Sequence, residues 1–168
     1  SILDVKTERD DFLVLANRDF PRGVDDFLVA AKAPVRSLAE VIAFNAEDPE
    51  TRAPFGQDLL VAAQESRATD DEYRETQVRS AARARKRIDG MLTDHDLDML
   101  VAIGMPFYVN YPAAGYPAVS VPSGYRASGE PVGLAFIGGF FDEQTLIRAA
   151  FAFEQRARAR RAPALVPR

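Results

Sequence analysis

The sequence has 168 residues, and among them are no cysteine and only one histidine, His95. The absence of cysteine excludes disulfides, thiolate catalysis and cysteine-ligated zinc sites. A single histidine excludes a multi-histidine metal site. No apolar run approaches the ~20 residues that a membrane-spanning helix needs, and a net charge of −4 argues against a general nucleic-acid binder. We therefore expect a cytoplasmic protein that binds neither membrane nor nucleic acid and holds no metal.

The composition is that of an ordinary folded domain. Hydrophobic residues make up 47% of the chain and charged residues 27%, which is typical of globular proteins. A chain of this length is expected to fold as one domain with a core of its own. We therefore predict a single domain over residues 1–168.

Short apolar runs bounded by turn residues predict β-strands. Residues 123–130 between two of these runs are rich in Gly and Ser and predict a turn. The predicted strands are Phe12–Ala16, Leu97–Ile103, Pro117–Pro122 and Val132–Ile137.

Helices are predicted from apolar periodicity and from capping residues. Ser37 with Glu40, and Thr69 with Glu72, have the spacing of a capping box, in which each side chain accepts from a backbone N–H of the other. The second box starts a long helix that should end near Thr93. The other predicted helices are Val24–Ala31, Gln57–Ser66 and one that begins after Asp142 and turns Leu146, Ala150 and Phe153 to the core.

Arginines recur at helical spacing along the long helix, at Arg79, Arg83 and Arg87. We interpret this stripe as a solvated outer face in which Glu75 pairs with Arg79. The alternative is a face that contacts phosphate groups.

Four short motifs, read in order, resemble the C-terminal end of the amidase-signature hydrolases. They are Gly-Tyr-Pro at Gly115–Pro117, Val-Pro-Ser-Gly-Tyr at Val121–Tyr125, Gly-Glu-Pro-Val-Gly at Gly129–Gly133, and Phe-Glu-Gln at Phe153–Gln155. The likeness extends from about Phe12 to Pro163. It implies an α/β fold in which this chain forms part of a mixed β-sheet covered by helices.

The resemblance also implies a reaction. Members of this family hydrolyse a carboxamide through an acyl-serine intermediate, with a second serine and a lysine base on a Gly-Gly-Ser-Ser-Gly-type loop, and without cofactor or metal. In this chain the Gly138–Gly139 pair is followed by Phe140 and Phe141 instead. We therefore expect no catalytic residue here and no activity of the chain alone, the catalytic residues lying in a missing N-terminal part.

The ends of the sequence fit that expectation of a fragment. The chain begins at Ser1 without an initiator methionine, and residues 165–168 read Leu-Val-Pro-Arg. That ending is either the remnant of a cleaved tag or the natural tail.

The segment Gly104–Ala114 is the part of the chain that we weigh most for binding. It follows a predicted buried strand and carries several aromatic residues, which line many ligand pockets. The family resemblance implies that this loop faces the amide substrate, although Gly104-Met105-Pro106 stands where many members have Ala-Pro-Thr. The predicted substrate-binding residues are Met105, Phe107, Tyr108 and Tyr111. The alternative is that the rings pack the fold.

An incomplete sheet would leave a strand edge unpaired, and such edges recruit further chains. We therefore expect a homodimer. A monomer whose edge is closed by Ile2–Ala16 is the alternative. At the level of function, the alternative to a hydrolase fragment is a free-standing, non-catalytic α/β module that binds a partner chain.

Overall fold

A computed structural model describes residues 5–104 and 107–163. Contacts divide the chain into two compact units, Ser1–Arg79 and Ser80–Arg168, and each is described by itself. The prediction of one domain over 1–168 stays a prediction. Met105 and the Leu-Val-Pro-Arg sequence at 165–168 lie outside the described residues.

The first unit is helical throughout its described length. It contains α1 (Val5–Ala30), α2 (Leu38–Glu47), α3 (Pro49–Arg52), α4 (Asp58–Gln64) and the start of α5 (Asp70–Asp94). Leu38 and Ala63 are buried, at 1% and 3% exposure. The backbone N–H of Leu38 donates to Asp25 Oδ1 at 2.7 Å, which ties the start of α2 to α1.

Both predicted capping boxes are confirmed. Ser37 Oγ accepts from the N–H of Glu40 at 3.2 Å, and the Glu40 carboxylate accepts from the N–H of Arg36 at 2.8 Å. Thr69 and Glu72 exchange reciprocal bonds of 2.9 and 3.2 Å. These contacts satisfy backbone donors that the first turn of a helix leaves without partners.

The predicted strand Phe12–Ala16 is wrong, because these residues lie inside α1. A short apolar run has the same composition in a strand and on a buried helix stripe, so the run alone does not distinguish the two. Val24–Ala31, predicted as a separate helix, covers the C-terminal turns of the same helix. The segment Asp48–Pro54, predicted as a loop, contains the single turn of α3.

The second unit contains a three-stranded sheet. Its strands are β1 (Leu100–Ile103), β2 (Ala118–Tyr125) and β3 (Pro131–Ile137), and its helices are the end of α5, α6 (Asn110–Ala114) and α7 (Glu143–Ala157). The strand order is β1-β3-β2, with Leu100 opposite Ile137 and Val121 opposite Leu134. The predicted α/β class is confirmed. The described strands pair antiparallel, where the prediction was part of a mixed sheet.

Each face of this sheet has its own cluster of buried side chains. Ala84 and Ile88 of α5 pack with Leu100, Ala114 and Ile137. On α7, Leu146 and Ala150 pack with Val121 and Phe136, and the ring of Phe153 lies 6.0 Å from that of Phe136. No helix within the described residues is both long and apolar enough to cross a membrane.

Candidate functional site

The segment predicted to bind substrate leads from β1 into α6. Phe107 and Tyr111 are partly buried and pack against the cluster around Ile88 and Ile137. Tyr108 is 38% exposed. The structure therefore brings two of the predicted rings to the core of the second unit and leaves the third at the surface. The substrate-binding role of these residues stays a prediction.

Two contacts attach this segment to α5. Tyr116 donates its phenol hydrogen to Asp89 Oδ1 at 2.7 Å, and Arg85 Nε donates to the carbonyl oxygen of Ala114 at 2.9 Å. Burial, followed by the bond to Asp89, raises the pKa of Tyr116 above its usual value. At neutral pH the phenol is therefore a donor. Sequence reasoning missed these residues, although Arg85 and Asp89 stand four apart and so share one helix face.

Asn110, the first residue of α6, is a further polar residue that sequence reasoning missed. It is 2% exposed, and among the described residues its Oδ1 has no hydrogen-bond partner. A buried acceptor left unpaired costs about 1–3 kcal/mol. Asn110 is therefore a costly residue in the segment, in contrast to Tyr116 and Arg85.

Two exposed rings lie beside this segment, and with Tyr116 they form what we call the aromatic patch. Phe140 and Phe141 are 62% and 76% exposed, with ring centroids 4.2 Å apart. The ring of Tyr116 lies 6.2 Å from that of Phe140. Phe141 has a φ of 62°, a conformation that bulky residues rarely adopt. Exposed rings held in this way are suited to binding apolar or aromatic groups.

Two serine hydroxyls that the structure describes are committed to the backbone. Ser123 Oγ donates to the carbonyl oxygen of Val132 at 3.0 Å, and Ser37 caps α2. Neither contacts a lysine. Across residues 5–104 and 107–163, no group of three His, Asp or Glu side chains is arranged to hold a metal ion. The site described here is therefore suited to binding, and covalent catalysis would need a nucleophile from elsewhere.

Substitutions in the segment should separate core packing from surface exposure. We expect Phe107→Ala to lower the free energy of unfolding by about 2 kcal/mol, since Phe→Ala costs 3–5 kcal/mol at a fully buried site and Phe107 is only partly buried. The more exposed Tyr108 should lose less when replaced by alanine. Chemical denaturation followed by circular dichroism measures both. Equal losses would contradict the packing described above.

The chain is similar to several known proteins. It is 34% identical over 137 residues to a probable amidase of Arabidopsis thaliana, which covers 80% of this chain and 27% of that protein. It is 49% identical over 57 residues to a glutamyl-tRNA(Gln) amidotransferase polypeptide of Parvibaculum lavamentivorans, covering 34% of this chain and 12% of that polypeptide.

A solved structure shares the fold. The native peptide amidase from Stenotrophomonas maltophilia superposes with a TM-score of 0.74 at 36% identity, covering 95% of this chain and 36% of that one. No family model matches the chain. In each case the chain spans well under half of the length of the protein that it resembles.

Proposed function

We propose, since this chain belongs to the amidase-signature family, that it is the C-terminal portion of an amidase-type hydrolase. The whole protein would cleave the C–N bond of a carboxamide. A serine hydroxyl would attack the carbonyl carbon, the amine would leave with a proton, and water would then hydrolyse the acyl-serine ester. Lysine suits the role of base because a desolvated ammonium group loses its proton readily.

The observation that carries the proposal is the contrast between how much of this chain matches and how little of each relative is matched. The likeness covers 95% of this chain but only 36% of the solved peptide amidase. Gly138–Gly139, the Gly-Gly pair of this sequence, is followed by phenylalanines and not by serines. The nucleophile and base would therefore belong to the missing N-terminal part, which is the first partner that we propose for this chain.

The role proposed for the chain itself is scaffold and one wall of the substrate pocket. Of the proposed wall residues, Phe107 and Tyr111 would contribute by fixing the segment, because they pack on the core. Tyr108, at 38% exposure, is the ring best suited to contact substrate, and Met105 lies outside the described residues. A small carboxamide is the proposed substrate class. A peptide that ends in a carboxamide is the first to test, since one of the relatives is a peptide amidase.

The test compares this chain with the full-length hydrolase. We expect the purified chain to leave amides and esters at their background rate of hydrolysis and to resist labelling by a fluorophosphonate, because covalent catalysis needs the nucleophile and base placed together. The full-length protein should be labelled at one serine and should turn over. Stoichiometric labelling of the isolated chain, together with turnover, would refute the proposal.

The alternative function, a free-standing module that binds a partner chain, is supported by the aromatic patch, since large exposed rings often mark interfaces. The coding sequence upstream of Ser1 distinguishes the two. An open frame that encodes a Gly-Gly-Ser-Ser-Gly-type motif supports the hydrolase. A stop codon followed by a start codon supports the module.

A further inference from the structure

A cavity of about 600 Å³ lies within the first unit. One side is formed by α1, through Leu13, Val14 and Asn17, and the other by the segment that connects α4 to α5 and by the first turns of α5. Its size falls in the range of small-molecule sites. The residues predicted to bind substrate belong to the second unit, so this cavity is separate from the predicted site.

Arg79 lines this cavity and is held by two acceptors. Its Nη2 donates to Asp11 Oδ1 at 2.7 Å and to Thr76 Oγ1 at 3.1 Å. Asp11 and Thr76 are buried, at 6% and 4% exposure. Among the described residues, no acceptor contacts Nε or Nη1 of Arg79. The guanidinium is therefore fixed in place with donors to spare, as in sites that bind carboxylates.

Charges of both signs face this cavity. Arg67 contributes a second guanidinium, whose Nη1 donates to the carbonyl oxygen of Ser66 at 3.2 Å. Glu72 also lines it, but its carboxylate accepts from Thr69 N and Oγ1 and is used in the helix cap. Glu75 has no hydrogen-bond partner among the described residues, and its carboxylate is near enough to Arg79 to favour that guanidinium's charged form. Glu75 is therefore the carboxylate that a bound cation could contact.

We propose that this cavity binds a small zwitterion with an apolar side chain, an α-amino acid or a dipeptide. The ligand carboxylate would accept from Arg67 and Arg79, and its ammonium group would donate to Glu75. Leu13 and Val14 would cover the apolar side chain. The proposal is independent of the hydrolytic function proposed above.

The balance of charge is what favours a zwitterion over a simple anion. Arg67 and Arg79 are offset by Glu72 and Glu75, while Asp11 is already paired with Arg79. A ligand with only a carboxylate would gain the contacts with arginine but would be repelled by Glu75. A ligand with only an ammonium group would meet the reverse. Both contacts are favourable only when one molecule carries both charges.

Binding to the full chain tests the proposal, with leucine, N-acetylleucine and leucinamide as matched probes. These share one side chain and carry both charges, the negative charge alone and the positive charge alone. Calorimetry or NMR titration should show saturable binding of leucine, at least about tenfold tighter than binding of either analogue, because each analogue loses one charge-assisted contact. No saturation by leucine, or equal affinity for all three probes, would overturn the proposal.

Variants then identify the residues. Arg67→Gln and Glu75→Gln should each weaken leucine binding about tenfold and leave the unfolding transition unchanged, since neither residue has an ion-pair partner among the described residues. Arg74→Gln is the control: Arg74 lies on the same helix, contacts exposed Asp71 and does not line the cavity. Unchanged affinity in both test variants, or an equal loss in Arg74→Gln, would overturn the assignment. Arg79 is not replaced, because its loss would leave the carboxylate of Asp11 buried without a cation.

Discussion

Replacing Leu146 with alanine is expected to lower the free energy of unfolding by about 3–5 kcal/mol. Leu146 is 1% exposed and packs with Val121, Phe136 and Ala150 between α7 and the sheet. Leu→Ala substitutions at such sites cost about 2.7–5 kcal/mol, because the removed methyl groups leave a cavity that the neighbours fill only in part. A loss of this size is a third or more of the stability of many domains. Urea denaturation followed by circular dichroism measures it.

The neighbouring residue of the same helix provides the control. Ile147 is 61% exposed, so Ile147→Ala removes a similar side chain from solvent-facing surface. We expect its effect to stay within about 1 kcal/mol, as is usual away from the core. If both variants lost the same free energy, α7 would not pack on the sheet through the face that contains Leu146.

The prediction of α7 from the sequence was accurate because its signal is local. Leu146, Ala150 and Phe153 recur at helical spacing, and the structure packs all three against β2 and β3. The hairpin was equally accessible, since Gly and Ser residues separate two short apolar runs. Capping boxes belong to the same class of signal, because both partners lie within three residues of each other.

Contacts between distant residues could not be predicted in this way. Asp11 and Arg79 are 68 residues apart, and nothing in their spacing pairs them. The sequence pattern favoured Glu75 as the partner of Arg79 and a solvated face for Arg83 and Arg87. In the structure, Arg79 instead pairs with buried Asp11, and both other arginines are half-buried. The cavity lined by Arg79 has no signal in the sequence for the same reason.

The predicted substrate-binding residues mark a second limit. Aromatic side chains after a strand end are found both in pockets and in cores, so composition alone could not separate the two roles. The structure does so by burial. Phe107 and Tyr111 pack on the core, while Tyr108 keeps more of its surface exposed.

The edge of the sheet at β1 leads to the second large effect. Among the described strands, β1 pairs only with β3, so its other edge is open. Leu100–Ile103 contains no charge and no proline, the features that protect natural sheet edges. Val101 and Ile103 are 54% and 69% exposed on one face of the strand. The alternative, closure by a strand within Ile2–Ala16, fails for residues 5–16, because they are helical.

We therefore propose that the isolated chain forms a two-fold dimer through β1, and we expect Val101→Lys to convert it into a monomer. Placing like charges on both sides of a symmetric strand pair is unfavourable, and an exposed lysine costs the monomer little. Light scattering should show the dimeric mass fall to the monomeric mass at micromolar concentration. Val78→Lys is the matched control, since Val78 is 70% exposed on α5 and its replacement should leave the dimer intact. A monomeric unsubstituted chain, or equal dissociation by both lysine variants, would show that the β1 edge does not drive association.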